Sequence, residues 1–197
     1  MPKFKTTTVI VGPLVALLLF CFPVPATAMK FMSLKDAITY FLPKGSKPSK
    51  VQKSIPANKI SQLKKRFRLR ETADFKETIS KGPYTFYIGR NQSNDVTVYI
   101  VVLEQNWRTC EHKLAVAIEP NGKIKEVVVV ELNCRYAYPI KRKNFLKQFK
   151  GKSARPGKKV PLEIGNDVDA ISGATASSDA TAIISRRALA LYELFFR

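Results

Sequence analysis

Residues 110–134 have the sequence CEHKLAVAIEPNGKIKEVVVVELNC, and this stretch carries the strongest signal for the fold. Its centre, Pro120-Asn121-Gly122-Lys123, is a turn sequence, because Asn and Gly adopt the backbone angles that tight hairpins need. The segments on either side are rich in Val, Ile, Leu and Ala, as strands with a buried face are. We therefore predict a β-hairpin of two antiparallel strands.

The two cysteines at the ends of this stretch are predicted to meet. A three-residue loop at 121–123 pairs residue 120 with residue 124. Counting outward then sets Cys110 opposite Cys134, whereas a two-residue loop would miss by one position. The same count places both cysteines on an apolar face with Leu114, Val116, Ile118, Val128, Val130 and Leu132. We predict a disulfide, and two buried free thiols or a redox-active pair remain the alternatives.

Two further strands are predicted upstream of the hairpin. Residues 84–88 and 96–102 alternate apolar and polar side chains, and a turn sequence at 91–95 separates them. Short turns between consecutive strands favour an antiparallel sheet, and the absence of a helix after each strand disfavours a doubly wound fold. The predicted class is α+β, a mostly antiparallel sheet with flanking helices and a C-terminal helix.

The segments after the hairpin are predicted to be helical. Residues 141–149 place Phe145, Leu146 and Phe149 on one side of a helix. The last element is an apolar-periodic helix that Ser177 or Ser178 would cap, with Asp179 in its first turn.

The N-terminus has the features of a secretory signal. Lys3 and Lys5 precede an apolar stretch at 9–22, and Ala26-Thr27-Ala28 is a small-x-small cleavage sequence. We predict cleavage after Ala28 and export to the periplasm or another extracytoplasmic space, with a retained membrane anchor as the alternative. Residues 1–28 are thus a signal peptide, residues 29–81 a helical leader and residues 82–197 the principal domain. Within the leader, Ser33 and Asn58 are candidate helix caps.

The chain is strongly basic, with a formal net charge of +19 from 34 Lys and Arg against 15 Asp and Glu. This balance favours an anionic partner: nucleic acid, an anionic membrane surface or an acidic redox protein. Nucleic acid is disfavoured, because the sequence contains no known nucleic-acid-binding module. His112 is the only histidine, and we find no catalytic triad, phosphate loop or metal-ligand set, so no catalytic residue and no metal site is predicted.

Residues Asp169-Ala170-Ile171-Ser172-Gly173-Ala174-Thr175 form a short turn of small residues ahead of the terminal helix. The start of a helix offers free N–H groups and a positive dipole end, which suit a phosphate. Gly173 permits a positive φ or a close backbone approach, and Thr175 adds a hydroxyl. The residues alone predict an anion-binding turn.

This run resembles the Asp-x-x-Ser-Gly-Ala-Thr signature of FMN-binding domains, as found in the flavin-carrying subunits of Rnf and sodium-translocating quinone reductase complexes. The order of hairpin, helix, motif and terminal helix over most of residues 82–197 is similar as well. The resemblance implies that FMN is linked to Thr175 through a phosphoester, placed there by a flavin transferase. It also implies that Ser172, Gly173 and Ala174 hold the phosphate, while Asp169 organises the loop or assists modification.

One stretch of the sequence departs from the family pattern. Family members often carry an acidic residue in the stretch that corresponds to 134–140, and here the stretch is Cys-Arg-Tyr-Ala-Tyr-Pro-Ile. Trp107, Tyr136 and Tyr138 are candidate ring contacts, although ordinary packing is the better explanation for any one of them.

The predicted function is that of an electron carrier or redox-complex subunit rather than a stand-alone enzyme. Its partners would be an acidic redox protein or a membrane respiratory complex, with an anionic membrane surface as a further possibility. The alternatives are a flavin-dependent reductase of a small acceptor and a flavin-free basic binding module.

Overall fold

The computed structural model describes residues 29–154 and 162–197. The predicted signal peptide lies outside these residues. The elements, in chain order, are β1 Met29–Lys30, α1 Leu34–Phe41, β2 Ser49–Lys53, α2 Ala57–Arg66, β3 Tyr84–Arg90, β4 Val96–Trp107, β5 Cys110–Ile118, β6 Ile124–Leu132, a 3₁₀ helix Arg135–Lys141, α3 Lys143–Lys147 and α4 Thr175–Phe196.

The strands form one antiparallel sheet in the order β1-β6-β5-β4-β3-β2. The predicted α+β class is therefore confirmed. The leader supplies strands as well as helices, since β1 and β2 are the two edges of the sheet. In the described ranges, no helix is long and apolar enough to cross a bilayer.

The two faces of the sheet are covered by different parts of the chain. On one face α4 and the end of α2 pack over the strands, and α4 is buried along most of its length. On the other face α1 buries Ala37, Ile38 and Phe41 against the sheet, and its partners there include Val98, Ile100 and Ala117. Ser33 caps α1 as predicted, because its hydroxyl accepts the Asp36 N–H at 3.0 Å.

The hairpin forms with a register that differs from the predicted one. Ile118 pairs with Ile124, and the loop is 120–122 because the Glu119 N–H donates to the Lys123 carbonyl. Moving away from the turn, two β-bulges each add one unpaired residue to β6. Together they restore the predicted register at the end of the hairpin opposite the turn, where His112 pairs with Leu132. Cys110 and Cys134 meet there and are joined by a disulfide, with their Cα atoms 5.1 Å apart.

The bulges also change which side chains share a face. Leu114, Val116 and Ile118 lie on the α4 side as predicted, together with Val127, Val129 and Leu132. The prediction was wrong for Val128 and Val130, which belong to the α1 side. A one-residue bulge shifts the two-residue alternation of a strand, so every position between the two bulges changes face.

Three predictions of helix bounds were also wrong. The segment 141–149 divides at Arg142, where the 3₁₀ helix ends and α3 begins. Helix α2 begins after Pro56, so Asn58 lies inside its first turn instead of capping it. Helix α4 begins at Thr175 with Ala174 at the cap position, so Ser177 and Ser178 are both buried in its first turn.

Candidate functional site

The motif folds as a tight turn that leads directly into α4. The Ala174 N–H donates to the Ile171 carbonyl at 2.9 Å, and Gly173 has φ of +78° at the third position of this turn. A positive φ at that position is the requirement that glycine meets in type II turns. Ser172 and Gly173 are exposed, Ala174 is buried, and Thr175 is exposed as the first residue of the helix.

Ser178 fixes the turn against the helix. Its hydroxyl accepts the Ile171 N–H at 3.1 Å and donates to the Ala174 carbonyl at 3.0 Å. Ser178 is fully buried, and its two bonds hold both ends of the turn. The sequence indicated a capping role for Ser178, whereas its structural role is to hold the loop that presents Thr175.

The backbone at the start of α4 suits an anion. Within the described ranges, the N–H groups of Thr175, Ala176 and Ser177 have no hydrogen-bond acceptor. They lie at the positive end of a helix of 22 residues, where an anionic oxygen is stabilised by both the free donors and the dipole. The Thr175 hydroxyl projects from the same exposed turn, so a phosphate esterified to it would begin beside these donors.

Asp169 is held through its backbone by Gln148, which follows α3. The Asp169 N–H donates to Gln148 Oε1 at 2.8 Å, and Gln148 Nε2 donates to the Asp169 carbonyl at 3.3 Å. This pair of bonds leaves the Asp169 side chain exposed near the turn. Sequence reasoning missed Gln148, because a glutamine at the end of a predicted helix carries no local signal for a partner 21 residues away.

Asp167 organises the loop that precedes the motif. Its carboxylate accepts the N–H groups of Leu162 and Glu163 at 2.9 and 2.7 Å and the Lys152 ammonium at 3.3 Å. Burial opposes ionisation of this carboxylate, but the two backbone donors and Lys152 together lower its pKa below the ordinary value. Asp167 is therefore charged at neutral pH. It ties the loop that precedes the motif to Lys152, which lies in the chain after α3.

A concave surface of about 560 Å³ lies beside α4, which lines it with Asp179 and Arg186. These two residues are seven positions apart, so they lie along one side of the helix. Arg186 donates to the Leu162 carbonyl at 2.5 Å, and burial raises the pKa of Asp179. The remaining lining residues are Arg68, Arg70, Glu163 and Ile164.

Comparison with known proteins identifies this part of the chain. Residues 111–190 match the family model of the FMN-binding domain. Over these residues the chain is similar to the FMN-binding domain family. The matched residues include the hairpin, α3, the cofactor turn and most of α4, and the resemblance seen in the sequence is confirmed, with FMN as the cofactor.

One solved structure is similar to the chain over much of its length. It is the crystal structure of NqrC from Shewanella oneidensis, with 18% sequence identity and a TM-score of 0.49, and the match covers 76% of this chain and 82% of that chain. No curated protein matches the chain.

The structure brings Ser172, Gly173, Ala174 and Thr175 into one turn, with Asp169 just ahead of it. Of the candidate ring contacts, Tyr138 packs edge-on against Phe31 and Trp107 lies beside Arg108. Tyr136 is 75% exposed, which leaves its ring open to a ligand.

His112 is fully buried on β5. Its Nδ1 lies 3.2 Å from the Gln105 carbonyl, and burial lowers its pKa, so the ring is neutral. No group of three His, Cys, Asp or Glu side chains within residues 29–154 and 162–197 could hold a metal ion.

Proposed function

We propose that this protein is an exported flavoprotein that carries FMN as a phosphoester on Thr175 and passes electrons to or within a respiratory redox chain. The observation that carries the proposal is the exposed Thr175 hydroxyl at the first position of α4, beside three backbone N–H groups that have no acceptor among the described residues. This arrangement supports attachment of a phosphoryl group to the hydroxyl, and the N–H groups and the helix dipole would stabilise the negative charge of that group.

Attachment requires a group transfer from FAD. A bond forms between Thr175 Oγ and the FMN phosphorus, the pyrophosphate bond of FAD breaks, and AMP leaves while the hydroxyl proton goes to a base. A flavin transferase would catalyse this step. The accessible turn supports such modification, because Ser172, Gly173 and Thr175 are all exposed to an approaching enzyme.

Once bound, FMN supplies the chemistry of accepting and donating electrons. The residues of this chain would orient the group and set the local potential. Gly173 and the first N–H groups of α4 would hold the phosphate, and the Ser178 bonds would keep the turn rigid. Arg186 and Arg68 contribute positive charge along the same side of α4, and positive charge favours the gain of an electron nearby.

Export and partner choice rest on other observations. The N-terminal sequence has the organisation of a signal peptide, and the Cys110–Cys134 disulfide is typical of proteins in oxidising compartments. The excess of basic residues supports association with an acidic redox protein or with a membrane respiratory complex.

The test is the intact mass and visible spectrum of the protein after export in a host that also expresses a flavin transferase. We expect a yellow protein whose added mass, FMN less water, survives denaturation. Thr175→Ala should lose the mass and the colour, and Thr175→Ser, which keeps a hydroxyl, should regain part of both.

Two outcomes would contradict the proposal in different ways. Colour without added mass would retain FMN and eliminate the phosphoester. A colourless, unmodified wild-type protein would eliminate the electron-transfer role and favour a flavin-free basic binding module. Turnover of a small acceptor by the purified protein alone would instead favour a reductase.

A further inference from the structure

The outer edge of β6 is unpaired in its middle and paired at both ends. At the C-terminal end of β6, Glu131 and Leu132 pair with β1, and the Val130 carbonyl accepts the N–H groups of Phe31 and Met32. At the start of β6, Ile124 exchanges hydrogen bonds with Gly151 and Lys152. Between these points, residues 126–129 have no backbone partner on the outer side within the described part of the chain. Their outward N–H and C=O groups are available to another strand.

This open segment, the β6 window, borders a groove of about 510 Å³. Phe31 and Met32 from the N-terminal segment and Leu146 from α3 line the groove with apolar atoms, and the valines of the window complete it. A groove of this kind suits an extended chain, whose backbone pairs with the edge while alternate side chains contact apolar surface.

Four exposed lysines also line the groove: Lys141, Lys143, Lys147 and Lys150. Lys143 and Lys147 are four residues apart and lie on one side of α3, and Lys150 lies in the turn that follows. Lys141 is placed 5.3 Å from the Phe31 ring centre and 4.8 Å from that of Tyr138. Four positive charges on one groove favour an anionic occupant.

The groove contains one carboxylate, and that carboxylate already has a partner. Glu126 accepts the Tyr40 hydroxyl at 3.0 Å. Lysines on an edge strand protect it against aggregation. Here the window itself contains Glu126 and three valines, and the lysines come from α3 and the neighbouring turns. The arrangement is that of a complementary site for an acidic strand.

We propose that the β6 window binds an extended acidic segment of a partner protein, which adds to the sheet as a further strand. Its backbone pairs with residues 126–129, its acidic side chains face the four lysines, and its apolar side chains contact Phe31 and Leu146. Lys147, which would contact the partner, is the residue before Gln148, and Gln148 holds the backbone of Asp169 through two hydrogen bonds.

The probe is a synthetic eight-residue peptide of alternating Glu and Val, blocked at both ends, with binding measured by calorimetry on residues 29–197. We expect saturable binding with a micromolar Kd that weakens at least tenfold between 0.05 and 0.5 M salt, on the order expected for a contact of several charges. The same peptide N-methylated at every residue retains its charge but cannot pair with an edge, and it should not bind. Amide resonances of residues 126–129 should shift with the unmodified peptide.

Matched variants separate the groove from net charge. The triple variant Lys143→Glu, Lys147→Glu, Lys150→Glu should lose at least tenfold in affinity. The control variant Lys44→Glu, Lys59→Glu, Lys65→Glu changes the charge equally at exposed lysines outside the groove and should lose less than threefold. Circular dichroism and the Tm establish that both variants are folded. Thr175→Ala should bind the peptide as the wild type does, so this test does not depend on the flavin.

Three results would overturn the proposal. They are absence of saturable binding, equal loss of affinity in the two triple variants, and undiminished binding of the N-methylated peptide. Groove-dependent binding to phosphatidylglycerol vesicles without peptide binding would assign the lysines to a membrane surface and also overturn it.

Discussion

Gly173 is the residue of the cofactor turn whose backbone angle most restricts substitution. Its φ is +78°, and a Cβ at this position would meet no atom within 4 Å, so the cost of Gly173→Ala comes from backbone strain alone. We expect a loss of about 1–2 kcal/mol in the free energy of unfolding, together with reduced FMN incorporation because the turn shifts. Urea denaturation and intact mass measure the two effects.

Gly165 provides the matched control for this prediction. It has φ of +79°, and a Cβ added to it would have equally open space, but it lies outside the motif. Gly165→Ala should lose similar stability and keep its FMN. Equal loss of FMN in both variants would mean that incorporation follows global stability rather than the geometry of the turn.

Ser178 tests the same turn through its hydrogen bonds. Ser178→Ala leaves the half-buried Ile171 N–H without its acceptor, so we expect a loss of about 1–3 kcal/mol. Ser185 is also fully buried, but its hydroxyl donates only to the Thr181 carbonyl one turn before it. Ser185→Ala should therefore cost less in urea denaturation, and a larger loss there would contradict the proposed role of Ser178.

At the scale of elements, the loop between α3 and α4 depends on one carboxylate, and its stability should depend on pH. The pKa of Asp167 is lower in the folded protein than its ordinary value of 3.8, because the donors of Leu162, Glu163 and Lys152 outweigh burial. A carboxylate whose pKa is lower in the folded than in the unfolded protein stabilises the fold. That stabilisation is complete above the pKa of the unfolded state and is lost as the pH falls through the pKa of the folded state. The wild type should therefore exceed Asp167→Asn in stability at pH 7, and the difference should shrink below about pH 4.

Urea denaturation of the two proteins at pH 7, 5 and 3 measures this difference. The comparison removes the contribution of the other carboxylates, which titrate in both proteins. A difference that stays constant from pH 7 to pH 3 would show that the Asp167 charge does not stabilise the loop.

The elements also show where sequence reasoning succeeded and why it failed elsewhere. Strand and helix type followed from side-chain periodicity, which is a local property. The β6 bulges did not, because an extra residue in one strand is determined by packing on both faces of the sheet. The predicted register was wrong at the turn and correct at Cys110 and Cys134 only because both bulges lie between them.

The site was predictable to the extent that its residues are adjacent in the sequence. Residues 172–175 form a continuous turn, and their shared composition and position before a helix indicated an anion site. Gln148 and Arg186 reach the motif loop from other elements. Neither has a local sequence signal, because their roles arise only when α3, α4 and the loop pack together.

At the scale of the whole molecule, the sheet is assembled from both the leader and the principal domain. Residues 29–81 provide both edge strands and the helix that covers the second face. The family match begins later, at residue 111, and includes only two of the six strands. The leader therefore contributes core that the matched segment by itself lacks, which is the reason to test the predicted boundary at residue 82.

The substitution Phe41→Ala measures how much the packing of α1 on the sheet contributes to the free energy of unfolding. Phe41 is 2% exposed on α1, and Phe41→Ala should cost about 3–5 kcal/mol in the free energy of unfolding, because it removes a large side chain from the second face. Leu34→Ala, on the same helix at a residue that is 41% exposed, should cost much less. Similar losses in the two variants would indicate that α1 stabilises the protein mainly through its own helix and not through packing on the sheet.

The boundary itself is tested by comparing residues 82–197 with residues 29–197. The shorter fragment exposes Val98, Ile100 and Ala117 on the second face and leaves β3 and β6 as unprotected edges. Exposed apolar surface and open edges promote association between chains. We expect the fragment to aggregate or to unfold without a cooperative transition, while residues 29–197 melt cooperatively in circular dichroism. A fragment that unfolds cooperatively within a few degrees of the longer chain would instead make 82–197 an independent domain, with the leader as an accessory that could be removed without losing the cofactor turn.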